Sequence, residues 1–336
     1  METGIPVHSL RNTACLSPEL VVPQKDKFSS LSSFLVAFAC KDTKKNVSLQ
    51  HKTKNYKDMQ SIRTLNDMIV FLQQRGDKKR VAVVCANDAS TRYAVEKGKE
   101  MGFIEPIYVD GDDKDECARR AVALCKNGEA DILMKGLINT DVILRAILDK
   151  ENGILRPGHV LTHVAMAEIP KYEKLLFFTD AAVIPVPTEG QRRQQIHYMN
   201  YVCHALGIEE PRISLIHCAE KVSAKTFPYT VDYLEIIAEA QTGKFGRCII
   251  DGPLDLKTSL DSVSLREKGI HSVIDGQADA LIFPDIVAGN VFYKTITLFG
   301  YAKTAGVLQG TQCCCVLPSR ADSPESKYYS LALAAI

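Results

Sequence analysis

Several basic and hydroxyl-bearing side chains stand where predicted strands run into helices, and this placement favours anion binding. Lys135 directly follows a short apolar run, Asp131–Met134. Asn139 and Thr140 precede a helical pattern that carries Arg145, and we expect Thr140 to cap that helix. The N–H groups at a helix N-terminus attract an anion, and a lysine there adds a point charge. The segment therefore predicts an anion site; the alternative is a plain turn with a surface arginine.

A second segment with similar chemistry is Phe283–Lys294. An apolar run ends at its start, and Gly289 and Asn290 are predicted to open a helix. Asn290 can cap the helix and also hydrogen-bond a ligand. Lys294, one turn further, can reach a carbonyl or anionic oxygen. A helix cap and a solvated lysine are the alternative interpretation.

The third segment, Pro318–Lys327, follows a buried strand that we predict over Cys313–Leu317. An arginine such as Arg320 offers two parallel N–H donors that match a phosphate group. The hydroxyl of Ser319 can donate to a thiolate or to a carbonyl oxygen. The alternative is a charged loop that closes into the last helix.

These segments are positioned by an alternation of short apolar runs and helical patterns. Such an alternation predicts right-handed crossovers and a parallel sheet, whose ligands bind at the carboxyl ends of the strands. The predicted strands are Val81–Cys85, Pro106–Val109 and Asp131–Met134, and the predicted helices are Ala89–Met101, Asp115–Lys126 and Thr140–Leu148.

The pattern changes after Arg156–Gly158. Val160–Ala167 and Leu175–Phe178 predict an antiparallel hairpin, after which helices and strands alternate again until Ser323 caps a last helix. We predict an α/β protein in which residues 59–157 and 305–336 form one α/β domain and residues 158–304 form an inserted second one. Residues 1–58 lack a helical period, and we expect either a disordered extension or an over-called start codon.

Composition excludes several classes of function. With 41 basic and 40 acidic residues the net charge is +1, so no overall field attracts nucleic acid or an anionic membrane. No apolar run of about 18 residues exists to span a bilayer. The eleven cysteines lack a C-x-x-C pair, which argues against a metal site and favours free thiols in a reducing cytoplasm. The loop Ala86–Ala89 lacks the G-x-G-x-x-G pattern of dinucleotide-binding dehydrogenases.

Taken in order, with Leu161–Ala165 between the first two, the three segments closely resemble the phosphate acetyl/butyryltransferase family, and most of all its butyryl branch. The resemblance covers about residues 59–336. It implies two α/β domains with a cleft between them, related to the isocitrate dehydrogenase fold. It also implies the reaction acyl-CoA + phosphate ⇌ acyl phosphate + CoA. Coenzyme A and phosphate are substrates of this reaction, and we expect that it needs no cofactor or metal. A homo-oligomer, dimer or higher, and an acyl kinase as pathway partner are implied as well.

Carried onto this chain, the resemblance implies catalytic roles for Ser319 and Arg320. His163 lies early in a strand that the family places near the cleft, although a satisfied core histidine is an equal interpretation. Arg192 and Arg193 are expected to be solvated on a helix, with contact to the CoA 3′-phosphate as the alternative. The implied substrate-binding residues are Lys135, Asn139, Thr140, Arg145, His163, Asn290 and Lys294.

The identity of the general base is open. The acetyl branch implies a carboxylate seven residues after the serine, but Ser326 stands there in this chain. Asp322 is our choice, with Glu325 as the neighbouring candidate. A CoA thiol is mostly protonated at pH 7, so a base is useful for direct attack in a ternary complex without an acyl-enzyme. Alternatives are an acetyltransferase of other chain-length preference, a non-catalytic acyl-CoA-sensing domain, and transfer from an acyl carrier protein.

Overall fold

A computed structural model describes residues 62–336, so the expectation for residues 1–58 lies outside the described part. Within that part the helices are α1 Leu65–Arg75, α2 Ala89–Glu100, α3 Lys114–Lys126, α4 Thr140–Ile147, α5 Glu189–Ala205, α6 Tyr229–Gln241, α7 Leu256–Leu260, α8 Ser262–Glu267, α9 Ile286–Leu298 and α10 Pro324–Ala335. The strands are β1 Lys79–Val84, β2 Ile104–Val109, β3 Ile132–Lys135, β4 Thr162–Glu168, β5 Leu176–Thr179, β6 Arg212–Ile216, β7 Ile249–Leu254, β8 Ala280–Ile282, β9 Lys303–Gln309 and β10 Cys314–Val316.

All of these strands belong to one sheet in the order β2-β1-β3-β10-β9-β4-β5-β8-β6-β7. The pairs at both ends of the sheet are parallel, and β9 runs antiparallel to β10 and to β4. The predicted α/β class is confirmed. The predicted hairpin is also confirmed, since β4 and β5 pair antiparallel with Ala165 opposite Phe178. The boundaries of the two predicted domains stay a prediction.

The register of β10 brings the third sequence segment to the first. β10 pairs parallel with β3, so that Cys314 lies opposite Ile132 and Val316 opposite Met134. Both strands end at the same edge of the sheet, and Lys135 is the last residue of β3. The chain leaving β10 toward Ser319 therefore emerges beside Lys135.

Burial fixes these strands in place. The predicted use of cysteine as a small apolar residue is confirmed, because Cys313 and Cys315 are buried in the core around β10. The last helix, α10, begins at Pro324 after the cap Ser323, whose hydroxyl accepts the N–H of Ser326, as predicted. No helix of residues 62–336 has the length and apolar character to cross a bilayer.

One prediction about α5 was wrong. Arg192 is buried instead of solvated, because its face of α5 packs against the sheet; its guanidinium donates to the Phe283 carbonyl at 3.2 Å and lies 5.2 Å from the Tyr233 ring centroid. Arg193 is also mostly covered and donates to Glu239 at 2.7 Å. The short helices α7 and α8 were not predicted.

Candidate active site

Two strand-to-helix junctions meet at the edge where β3 and β10 end. The guanidinium of Arg320 donates to the side-chain oxygen of Asn139. Asn139, and not the predicted Thr140, is the N-cap of α4, and its side chain makes no capping hydrogen bond. The first N–H groups of α4 thus have no side-chain acceptor from the cap and can bind an anion.

Lys135 contributes a buried charge to this edge. Its side chain lies in the protein interior, and its ammonium is 3.4 Å from the carbonyl oxygens of Gly136 and Ile138. Burial, followed by the charges of Lys327 and Arg320, lowers the pKa of Lys135, whereas nearby carboxylates act in the opposite direction. Among residues 62–336 no carboxylate forms an ion pair with Lys135. An anionic ligand would supply the missing negative charge.

Asp322 is fixed beside Ser319. One carboxylate oxygen accepts the backbone N–H of Ser319 at 2.8 Å, and the other accepts the hydroxyl of Tyr293 at 3.3 Å. Burial, then the Asp322 charge, raises the pKa of Tyr293 to about 12, so its hydroxyl keeps its proton at neutral pH. Ser326 instead faces Thr304, whose hydroxyl is 3.1 Å away. Asp322 is therefore the carboxylate held next to Ser319, whereas Glu325 is exposed in the first turn of α10.

His163 is half-buried, and one of its ring nitrogens is buried without a hydrogen-bond partner. Its Nδ1 has no partner among the described residues, so it is not a satisfied core histidine. Burial lowers the pKa of His163 although the charges of Asp180 and Asp322 act to raise it, and the imidazole is therefore neutral near pH 7.

Space for the His163 ring depends on a glycine of β9. A Cβ atom at Gly306 would lie 2.4 Å from His163 Nε2. We expect Gly306→Ala to lower the free energy of unfolding by about 2 kcal/mol, since overpacking forces neighbouring groups apart. Denaturant unfolding measures this. The double variant with His163→Ala should recover part of the loss, and strictly additive losses would contradict the contact.

Comparison with known proteins identifies the family of this chain. The family model described as phosphate acetyl/butaryl transferase matches residues 114–335. The phosphate butyryltransferase of Clostridium acetobutylicum is 35% identical over 298 residues, which are 82% of this chain and 98% of that protein. The phosphate acetyltransferase of Thermotoga maritima is 32% identical over 284 residues, 78% of this chain and 96% of that one. The chain belongs to the phosphate acetyl/butyryl transferase family.

A solved phosphotransacylase shares the fold. The crystal structure of a branched-chain phosphotransacylase from Enterococcus faecalis aligns with a TM-score of 0.69 and 31% identity, over 76% of this chain and 97% of that one. A phosphotransacetylase from Streptococcus pyogenes aligns with the same TM-score at 19% identity, over 81% of this chain and 98% of that one, which supports the fold alone. The α/β fold of the phosphotransacylases is thereby established for this chain.

The helix that carries Asn290 and Lys294 also contacts the candidate site around Asp322. α9 begins four residues earlier than predicted, because Asp285 is its N-cap and accepts the N–H of Ala288. Asn290 is therefore not a cap; its amide donates to the Ala181 carbonyl at 2.9 Å. Lys294 is exposed with its ammonium 5.0 Å from the Tyr293 ring centroid. Through Tyr293, α9 contacts Asp322.

Two other predicted site residues lie on the surface of α4. Thr140 is exposed at the first position of the helix. Arg145 is exposed and forms ion pairs with Asp141 at 3.2 Å and with Asp115 at 3.4 Å. Arg145 is thus engaged by surface carboxylates, and its role toward a substrate stays a prediction.

Sequence reasoning missed Lys327 and Asp88. The ammonium of Lys327 is buried and donates to Asp88 Oδ1 at 3.0 Å, to Thr91 Oγ1 at 3.3 Å and to the Ser90 hydroxyl. Asp88 is the N-cap of α2. Burial alone would raise the pKa of Asp88, but hydrogen bonds from Ser90, Thr91 and Lys327 hold it far below its usual range. The only signal in the sequence was the apolar run after Lys327, which marks α10 as a buried helix.

A cavity of about 760 Å³ lies elsewhere, at the ends of β6 and β7. Its walls are mainly apolar and include Phe227, Tyr229, Leu256 and Phe283. None of the site residues predicted from the sequence lines it. The charged groups around Lys135 and Arg320 match an anionic substrate better than this cavity does.

Proposed function

We propose that the protein catalyses acyl-CoA + phosphate ⇌ acyl phosphate + CoA, with butyryl or a similar short chain as the preferred acyl group. The observation that carries the proposal is the convergence of Lys135, Arg320 and the open N-terminus of α4 beside Ser319 and Asp322. These groups offer two cations, free N–H donors, a hydroxyl and a carboxylate in one place. Membership of the family supports the same reaction.

In the proposed mechanism the phosphate group is held by Arg320, Lys135 and the N–H groups of α4. Asp322 takes the proton from the CoA thiol, the sulfur attacks the carbonyl carbon of the acyl phosphate, and the carbon–oxygen bond to phosphate breaks. The Ser319 hydroxyl donates to the developing oxyanion. A general base contributes about 10²–10⁴-fold and an oxyanion donor about 10²–10³-fold. In the reverse direction a phosphate oxygen attacks the thioester.

Asp322 suits this task because two contacts hold its carboxylate beside Ser319. It accepts from a backbone N–H and from a tyrosine hydroxyl, neither of which delivers a full positive charge. Tyr293 keeps its proton at neutral pH, so its hydroxyl holds the carboxylate and does not take the thiol proton. This arrangement supports direct transfer in a ternary complex.

The experiment is the release of CoA, followed with a thiol reagent, from acetyl-, propionyl-, butyryl- and isobutyryl-CoA, with and without phosphate. We expect phosphate-dependent release that is fastest with a four-carbon chain. Fastest release from acetyl-CoA would leave the acyltransferase but refute the butyryl preference. Binding of acyl-CoA with no release from any of them would support the acyl-CoA-sensing alternative. Release that is unchanged by a chelator is expected, since the reaction requires no metal or cofactor.

We also propose that the protein is a homo-oligomer. Val287, Val291 and Leu298 lie on one side of α9 and are exposed, and Phe299 and Tyr301 after the helix are exposed as well. Apolar side chains at helical spacing are usually covered by a partner. Light scattering after size exclusion would determine the number of subunits.

A reducing location such as the cytoplasm is part of the same proposal. Nine cysteines of residues 62–336 are free thiols, and most of them are buried. The acyl phosphate product would serve there as substrate for an acyl kinase that makes the acid and ATP.

A further inference from the structure

A cysteine, a histidine and a tyrosine form a hydrogen-bonded row beside the apolar cavity at the ends of β6 and β7. The sulfur of Cys218 lies 3.8 Å from Nε2 of His217, and Nδ1 of His217 lies 2.7 Å from the hydroxyl of Tyr229. Cys218 and His217 both line the cavity. A nucleophile beside a base that a third group orients is the arrangement that activates a thiol. This row shares no residue with the site around Asp322.

His217 is buried and held in one orientation. It is 4% exposed, its backbone N–H donates to the Leu254 carbonyl at 2.8 Å, and its ring packs against that of Phe227 with centroids 4.6 Å apart. In the described part of the chain, the thiol of Cys218 is the hydrogen-bond partner of Nε2. Burial lowers the pKa of His217, although the charge of Glu220 acts to raise it, so the ring is neutral near pH 7 and can accept a proton.

Cys218 is open to reagents in solution. It lies in the loop that follows β6, and it is the exposed one among the nine cysteines that the structure describes. Cys248 is half-buried, and its thiol donates to the carbonyl of Gly246 at 3.7 Å. Burial, followed by the charge of Glu210, raises the pKa of Cys248 to about 11. Cys218 thus combines access with a neighbouring base, whereas the thiol of Cys248 faces a carbonyl oxygen.

The cavity beside Cys218 fits an alkyl chain that carries an anionic group. It has a volume of about 760 Å³ and mainly apolar walls, and it lies where β6, β7 and β8 end, the position at which parallel strands bind ligands. Of the two carboxylates that line it, Asp255 pairs with Lys268 at 2.5 Å and Asp261 caps α8. Lys257 lines the cavity as well and adds a positive charge. An acyl phosphate has both the apolar chain and the anion that these walls match.

We propose that Cys218 is a modification site at which an acyl phosphate transfers its acyl group to the thiol. With the ring proton of His217 on Nδ1, Nε2 takes the thiol proton, the sulfur attacks the carbonyl carbon, and the carbon–oxygen bond to phosphate breaks. Phosphate leaves with the electron pair of that bond, Cys218 becomes a thioester, and the imidazolium returns its proton to solvent. The source of the donor rests on the proposed function, because an acyl phosphate is a product of that reaction.

The experiment is the incubation of the full-length protein with butyryl phosphate at neutral pH, followed by mass spectrometry of each cysteine-containing peptide. We expect a butyryl group on Cys218 that neutral hydroxylamine removes, and labelling of Cys248 that is slower by about 10²-fold. Butyryl phosphate should react about tenfold faster than acetyl phosphate, since burial of each CH₂ group favours binding about fourfold. Absence of label on Cys218, equal rates at the two cysteines, or no preference for the longer chain would overturn the proposal.

Two variants test the row of hydrogen bonds. His217→Gln removes the base and should slow labelling of Cys218 by about 10²-fold or more. Tyr229→Phe keeps the aromatic wall but no longer orients the imidazole, so it should slow labelling by less. The matched control is His159→Gln, because Nδ1 of His159 also lies 2.9 Å from a tyrosine hydroxyl, that of Tyr198, in another part of the protein. The control should label Cys218 at the wild-type rate, and an equal rate in His217→Gln would overturn the proposal.

This test is separate from that of the proposed function. Labelling by added butyryl phosphate needs no CoA, and Arg320→Gln should be labelled at Cys218 as fast as the wild type. Loss of labelling in Arg320→Gln would place the reaction at the transfer site and overturn the proposal. Label on Cys218 without phosphate-dependent release of CoA would support the modification site and refute the proposed function. If His217→Gln fails to fold, the ratio of the labelling rates of Cys218 and Cys248 in the wild type decides.

Discussion

Replacing Arg320 by glutamine is expected to lower kcat/KM for phosphate-dependent release of CoA by about 10³-fold. Arg320 reaches Asn139 at the open N-terminus of α4, so its guanidinium spans the place where the phosphate group is expected. Glutamine can keep a hydrogen bond to Asn139 but provides neither the charge nor the paired donors. The loss should appear in the KM for phosphate and in kcat, because the leaving phosphate gains charge in the transition state.

The matched control is Arg119→Gln. Arg119 is exposed on α3 and pairs with Glu116 at 3.0 Å, one turn away on the same helix. Such a pair contributes at most about 0.5 kcal/mol, so activity and stability should stay close to those of the wild type. Arg320→Lys should fall between the two, since it keeps the charge without the fork. Equal activity of Arg320→Gln and Arg119→Gln would exclude Arg320 from the reaction.

Most of the strands and helices that carry the candidate site could be predicted from the sequence, because their apolar patterns indicate burial. Short apolar runs and helical patterns report burial against a sheet, and burial decides which strands form. The same logic placed Ser319 and Arg320 after a buried strand. Their proximity to Lys135 followed from the rule that ligands bind at the carboxyl ends of parallel strands, which the pairing of β10 with β3 satisfies.

Contacts made by long polar side chains were beyond sequence reasoning. Arg192 was expected to be solvated and Lys327 was given no role, yet both are buried and donate to groups far away in the chain, Phe283 and Asp88 respectively. The pattern of apolar residues along a helix indicates the average burial of each of its faces. The hydrogen-bond partners of these two side chains depend instead on how the helix packs against another element. The cap of α9 was misplaced for a similar reason, since Asp285 and Asn290 are equally good capping residues by type.

Replacing Gly136 by alanine is expected to reduce activity by about 10²-fold or more, and to destabilise the protein by about 2–3 kcal/mol. A Cβ atom there would lie 2.3 Å from the carbonyl oxygen of Cys85 and 2.6 Å from that of Val84. Both are backbone atoms at the end of β1, and Val84 accepts the N–H of Gly136 at 2.8 Å. The chain carrying Lys135 must therefore move away from β1, and its ammonium moves with it.

Gly190→Ala is the control for this substitution. Gly190 lies in the first turn of α5, where an added Cβ would meet nothing within 4 Å. Alanine there should stabilise the helix by up to about 1 kcal/mol and leave activity unchanged. Steady-state kinetics and denaturant unfolding of both variants separate a displaced Lys135 from a general effect of losing a glycine. If Gly136→Ala folds as stably as the wild type and stays fully active, the close approach of β1 to Gly136 does not determine the position of Lys135, and this prediction is wrong.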